Sequence, residues 1–173
     1  MDYSFNFQNQ SVQSIIDQFA NTGDPEVRRW SSMPSYFSQW PMDDTDPVIY
    51  ELFSLPMGPS TTDLMVVLTV LHAGNIYGEK FHTKGHFHTD PDGPEYVLVL
   101  SGRGILERGL RDSTLEESPM EPGTHILVPS GQAHRVINID NEPLLFISVC
   151  SAGVGHDYAS VTPLGWVRTG SPL

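Results

Sequence analysis

From Pro47 almost to its end the chain repeats one pattern: short segments rich in Val, Ile, Leu, Phe and Tyr, each closed by Gly, Pro, Asn or Asp after about ten residues. An amphipathic helix needs apolar residues every three or four positions over several turns, and segments so often interrupted do not supply them. The pattern predicts an all-β sandwich or barrel. VIYELF, DLMVVLTVLH, KFHTKGHFH, EYVLVL, GILERG, THILVP, HRVINI, LLFISVC and SVTPLGWV read as strands. The linkers DPDGP, SGRG, SPMEPG, PSGQ and DNEP carry the residues that turns select. Upstream the period changes. Val12, Ile15, Ile16 and Phe19 fall at i, i+3, i+4 and i+7, the stripe of a short amphipathic helix within residues 9–20. Asp24 followed by Pro25 reads as the cap and first position of a second short helix. No internal repeat appears, so the expected organisation is an N-terminal arm with short helices, residues 1–45, and one β domain, residues 46–173.

A chain of 173 residues can bury a working core. Nine Lys and Arg against twenty-one Asp and Glu leave a net charge of −12, which argues against nucleic acid or an anionic membrane surface as a partner. The longest apolar stretches, Leu64 to Ala73 and Pro143 to Val154, fall short of the ~20 residues that span a bilayer. The opening MDYSFNFQNQ lacks the basic start and apolar centre of a secretory signal, and the single cysteine, Cys150, has no partner for an internal disulfide. A cytoplasmic location is expected.

The chemistry concentrates in histidines. In GHFH, His86 and His88 alternate with Phe87, so on a strand both imidazoles face one side and can share an ion. TDPDGP then turns the chain and lets Glu95, at the start of the next strand, return its carboxylate toward them. His134 opens a later strand after the turn in PSGQ. Three imidazole nitrogens and one carboxylate oxygen suit one divalent transition ion per subunit, such as Fe(II), Mn(II), Ni(II), Co(II) or Zn(II), and the need for open positions favours iron or manganese over zinc. His72, His82 and His125 read as wall or surface residues, and Gly102 and Gly104 in SGRG as a hairpin turn rather than a phosphate loop.

Gly123, Pro129, Gly131, His134 and Asn138 have the spacing G-x5-P-x-G-x2-H-x3-N, and with GHFH upstream the chain resembles the cupins. Cupins normally place three or four residues between the HxH pair and the Glu, whereas here six intervene between His88 and Glu95. That interval, with VIYEL, GEKFHTKGHFH, PEYVLVLSGRG and AGVGHDYASV, is similar to the cupin-type glucose-6-phosphate isomerases from about Val48 to Gly165. The resemblance implies a double-stranded β-helix, or jelly-roll barrel, and a metal-dependent isomerase of glycolysis and gluconeogenesis that acts as a homodimer. It implies His86, His88, Glu95 and His134 as metal ligands, with Tyr50, Thr69, Thr83 and Gly85 holding the sugar phosphate. Hydroxyls and a backbone N–H would then bind the anion without a Lys or Arg cluster. His156 and Tyr158 of GHDY are placed beside the open-chain sugar, with His156 and Glu95 as catalytic residues. Two tyrosines of the family pattern are missing. Val97 and Cys150 stand in their places, and Tyr96 comes one residue early, on the opposite face.

The reaction implied moves hydrogen between C1 and C2 of a sugar phosphate, through an enediol if a base such as Glu95 removes the proton, or by a hydride shift if none does. The same ligand set also suits an Fe(II)-dependent cupin oxygenase, and a cupin that binds a sugar phosphate without turnover is a third reading. Oxygen uptake would mark the second and binding without conversion the third.

Overall fold

A computed structural model describes residues 5–39, 45–56, 58 and 60–167. It contains one α-helix, α1 (Val12–Ala20), and strands β1 (Glu26–Arg29), β2 (Val48–Pro56), β3 (Leu64–Leu71), β4 (Asn75–Ile76), β5 (Glu79–Lys80), β6 (Phe87–His88), β7 (Glu95–Ser101), β8 (Gly104–Gly109), β9 (Leu115–Met120), β10 (His125–Val128), β11 (Ala133–Asn138), β12 (Leu144–Ser151) and β13 (His156–Asp157). Short 3-10 turns span Trp30–Ser32, Pro34–Tyr36 and Ala159–Leu164.

Six strands form the larger sheet, in the order β1-β2-β3-β12-β7-β10. The opposing layer is built on β11-β8-β9 and extended by single bridges, His82 to Ile137 and His86 to His134, after which β6 pairs with β13. Strand alternation sorts the side chains of the larger sheet. Tyr50, Thr69, Val97 and Phe146 face the space between the layers, while Phe53, Leu68, Val70 and Leu145 face outward. In β3 and β12 both faces are covered, which is why they read as nearly unbroken apolar runs.

Helix α1 provides the outer cover. Ser11 caps it by accepting from the Ser14 N–H at 3.1 Å, and its Ile15 and Phe19 pack on Phe53, Leu55, Leu68 and Ile147. Phe5 stacks on Phe19 with centroids 4.4 Å apart. The apolar face of the arm is thus spent on the barrel of its own chain: Trp30, Met33 and Phe37 likewise belong to the core between the sheets, while Trp40 lies outside the described residues. Phe19 is fully buried, so Phe19→Ala is expected to lose about 3–5 kcal/mol in a denaturant titration. A loss below about 1 kcal/mol would mean that α1 does not seal the sheet.

The all-β reading holds, with local corrections. The second helix expected at Asp24 is instead strand β1, whose pairing with β2 along four positions outweighs the capping signal of Asp24-Pro25. SVTPLGWV is a 3-10 turn closed by Gly165 at φ 73°, since Pro163 has no N–H for a ladder and Gly165 readily takes the left-handed form. KFHTKGHFH is only intermittently paired, through β5, two isolated bridges and β6. Ser118–Met120 of SPMEPG, expected in a turn, instead end strand β9, whose mostly exposed residues show no alternation and whose ladder with β8 runs through Pro119.

Candidate metal centre and cavity

A cavity of about 330 Å³ opens between the two layers. Alternate residues of three central strands wall it: Tyr50, Leu52 and Ser54 of β2, Met65, Val67 and Thr69 of β3, and Phe146, Ser148 and Cys150 of β12. Four donor side chains meet between the layers, three from the opposing layer and its extension and one, Glu95, from β7 of the larger sheet. One ligand atom from each of His86, His88, Glu95 and His134 lies within 4.8 Å of all the others.

Different pieces of chain deliver them. His86 and His134 are bridge partners, linked by His86 N–H to His134 carbonyl and the reverse bond, at 3.3 and 3.0 Å. Phe87 points the other way into a buried cluster with Val161, Leu164 and Trp166, so His86 and His88 share the cavity side. The turn that contains Gly93 brings Glu95 back, as the spacing predicts. Its Oε2 lies 3.4 Å from both His88 Nε2 and His134 Nε2. The preceding turn also orients a ligand. His88 Nδ1–H donates to the Gly93 carbonyl at 2.6 Å, which leaves Nε2 unprotonated and aimed inward.

These donors fit a cation. The Nε2 atoms of His86 and His88 are buried with no hydrogen-bond partner among the described residues, a costly state for a polar atom unless an ion takes the lone pair. Burial, reinforced by His134 and His156, holds His86 well below the ordinary imidazole pKa, hence neutral. Burial alone would raise the pKa of Glu95, but His134 and the other imidazoles outweigh it and hold the carboxyl well below its usual range. For His88, burial acts downward, while Glu95 and the Gly93 carbonyl act upward and prevail.

His72, His82 and His125 keep apart from this cluster. His72 Nε2 pairs with Glu51 at 2.8 Å, His125 contacts the Tyr96 hydroxyl on the outer face, and His82 stacks on Phe37 at 4.6 Å. Tyr96 is exposed and Val97 lines the cavity, as their strand parity requires.

Tyr50, Thr69, Thr83, His156 and Tyr158 all line the cavity. His156 stands edge-on to His86 at 4.3 Å and Tyr158 lies 5.7 Å from the same ring. Gly85 is not a wall residue. A Cβ there would overlap the Trp166 indole, so close packing explains its lack of a side chain. Thr83 Oγ1 already accepts from Val136 N–H at 3.0 Å and keeps its proton free to donate. Two basic residues stand near these hydroxyls, one of them the Lys84 that separates Thr83 from Gly85. Lys84 lines the cavity, its Nζ 5.6 Å from the Tyr36 ring centroid and 5.8 Å from that of Tyr158. Arg28 of β1 stands opposite Tyr50 in the ladder. Only the register of β1 on β2 brings Arg28 there, and no local motif announces it.

The family model described as "Glucose-6-phosphate isomerase (GPI)" matches residues 42–169. The chain belongs to the glucose-6-phosphate isomerase family. It is 37% identical over 147 residues to the glucose-6-phosphate isomerase of Pyrococcus horikoshii, which covers 82% of this chain and 78% of that one. The enzyme of Thermococcus kodakarensis is 37% identical over 150 residues, covering 82% and 77%. A putative glucose-6-phosphate isomerase 2 of Rhizobium meliloti is 29% identical over 124 residues, covering 72% and 62%. Among solved structures, the oxalate decarboxylase of Lactobacillus farciminis superposes with a TM-score of 0.52 at 17% identity, over 63% of this chain and 30% of that one. The chain therefore spans less than a third of that protein, and the likeness speaks for the cupin fold. Among the described residues, no helix is long and apolar enough to cross a membrane.

Proposed function

We propose that the protein is a metal-dependent isomerase that interconverts glucose 6-phosphate and fructose 6-phosphate. The observation that carries this reading is the convergence of three imidazoles and one carboxylate, two of the imidazole nitrogens buried without partners, on a cavity of sugar size in a member of this family. His86, His88, Glu95 and His134 would hold one ion, Fe(II) or Mn(II). Such an ion, when bound, supplies a Lewis acid that polarises the sugar carbonyl and offsets negative charge on O1 and O2.

The remaining steps belong to the chain. Tyr50 and Tyr158 keep their protons because burial raises both pKa values, so their hydroxyls donate to the sugar phosphate alongside Thr69 and Thr83. His156 is neutral near pH 7 because burial, with His88 beside it, lowers its pKa. Its ring takes the proton from one sugar hydroxyl and returns it to the other. Leu52, Val67, Val97 and Phe146 exclude water from the open chain. Glu95 lies well below the ordinary carboxylate pKa and is a weak base. That favours direct passage of hydrogen between C1 and C2 over abstraction by Glu95.

We further read residues 1–45 as an arm and 46–173 as the barrel, and assign the enzyme to the cytoplasm, as a homodimer acting in glycolysis and gluconeogenesis. The test is turnover of fructose 6-phosphate in D2O, followed by coupled assay and by NMR of the product. Conversion with little solvent deuterium at C1 or C2 is expected. Extensive deuteration would restore Glu95 as the base, and oxygen uptake without conversion would overturn the isomerase reading in favour of an oxygenase.

A further inference from the structure

The strand that the arm adds to the sheet carries two charged residues on the cavity side. In the β1–β2 ladder Glu26 lies opposite Leu52 and Arg28 opposite Tyr50. Residues directly opposite in an antiparallel pair share a face, and Leu52, Tyr50 and Glu26 all line the cavity. Arg28 therefore stands at its rim, mostly buried, with one Nη paired to the Glu26 carboxylate and with Nε buried and unpartnered among the described residues. Lys84, on the opposing layer, reaches the same rim and sets its ammonium over the rings of Tyr36 and Tyr158.

We propose that Arg28 and Lys84 together form an anion clamp at the cavity mouth that receives the phosphate of the substrate, so that the arm supplies the selectivity for phosphorylated over free sugars. This rests on the isomerase reading of the same cavity. Among the described residues at this rim two cations face one carboxylate, so one positive charge there has no counter-ion in a chain of net charge −12. A phosphate dianion supplies it. Arg28 can offer the phosphate paired N–H donors, and Lys84 adds a point charge from the other side. The field of Arg28 reaches this whole rim: it lowers the pKa values of Lys84, Tyr36, Tyr50 and Tyr158, in each case as a contribution smaller than burial. The strand also explains why a protein so acidic can attract an anion. The positive charge is placed by strand register at one opening and is invisible in the composition.

The experiment compares Arg28→Ala, Arg28→Met and Arg28→Lys with Arg29→Ala as the charge control. The control side chain is exposed and bonds the Asp46 carbonyl instead. With metal-loaded enzyme, the Ala and Met variants are expected to raise KM for fructose 6-phosphate about ten- to hundredfold with kcat within about threefold, and the Lys variant to recover part of the loss. Arg29→Ala is expected to leave KM unchanged. Inorganic phosphate titrated into the same proteins by calorimetry gives a readout independent of turnover: wild type binds it, and Arg28→Met binds it at least about tenfold more weakly. Equal phosphate affinity in wild type and Arg28→Met, or an unchanged KM, would overturn the clamp while leaving the isomerase reading intact. Absence of turnover by wild type would overturn the isomerase reading, and the phosphate titration would still decide the clamp. Arg28→Met keeps the buried stem, so a folding defect confined to Arg28→Ala does not obscure the result.

Discussion

Glu95→Ala is expected to lower turnover of fructose 6-phosphate by a factor of about a thousand or more, with the metal content falling alongside it. Glu95 is the only carboxylate in the four-residue donor group. Its Oε2 lies between the Nε2 atoms of His88 and His134 at 3.4 Å from each, so it orders two imidazoles besides offering a ligand atom. With alanine there, three neutral nitrogens would have to hold a dication without a carboxylate ligand. Glu95→Gln is the sharper variant. It keeps the shape and one oxygen while removing the charge, so it is expected to bind metal weakly and to remain at least about a hundredfold slower than wild type. Metal content by mass spectrometry and rate by coupled assay check both variants. If Glu95→Gln kept full metal and full rate, the carboxylate charge would have no part in the site.

Acidification is expected to release the metal steeply, with His88 leading. A protonated imidazole cannot ligate, so each ligand protonated as pH falls costs up to tenfold in apparent affinity per pH unit. The sign follows from the direction of each shift. His86 is held low and Glu95 is held low, so both stay in their ligating forms as the solution turns acidic. The pKa of His88 is raised above 6.5, so its proton competes before that of His86, already as pH falls toward that value. Apparent affinity should therefore level off only above the raised pKa of His88, decline through it as pH falls, and drop faster once His86 joins. Equilibrium dialysis of the ion between about pH 8 and 5 measures this. An affinity independent of pH over that interval would mean that the imidazoles are not ligands.

The donor set was legible because its spacing is short-range information. HxH on extended backbone, a turn and then a carboxylate, and a Pro-x-Gly turn before His134 each specify a local direction for a side chain. The sheet only has to bring those directions together. The pairing around them was less legible. His82 and His86 are held by single bridges to β11, and a reading from alternation alone turned that segment into a continuous strand. Arg28 went unnoticed for a related reason. Its role depends on lying opposite Tyr50, twenty-two positions along the chain, and β1 itself was read as a helix from Asp24 and Pro25. Gly85 also has a packing reason to be glycine, since a Cβ there would overlap Trp166, which comes from the far end of the chain and leaves no local signal.

The central claim is that one divalent ion, held by His86, His88, Glu95 and His134, makes this cavity catalytic. The direct measurement is metal stoichiometry and isomerase rate on the same samples, before chelation, after it, and after anaerobic titration with Fe(II) or Mn(II). The account predicts that chelation abolishes turnover, and that activity returns in proportion to ion bound and saturates at one equivalent per chain in wild type, with none recovered in His88→Ala. Full activity in the chelated, metal-free protein, or recovery to the wild-type level in His88→Ala, would contradict it.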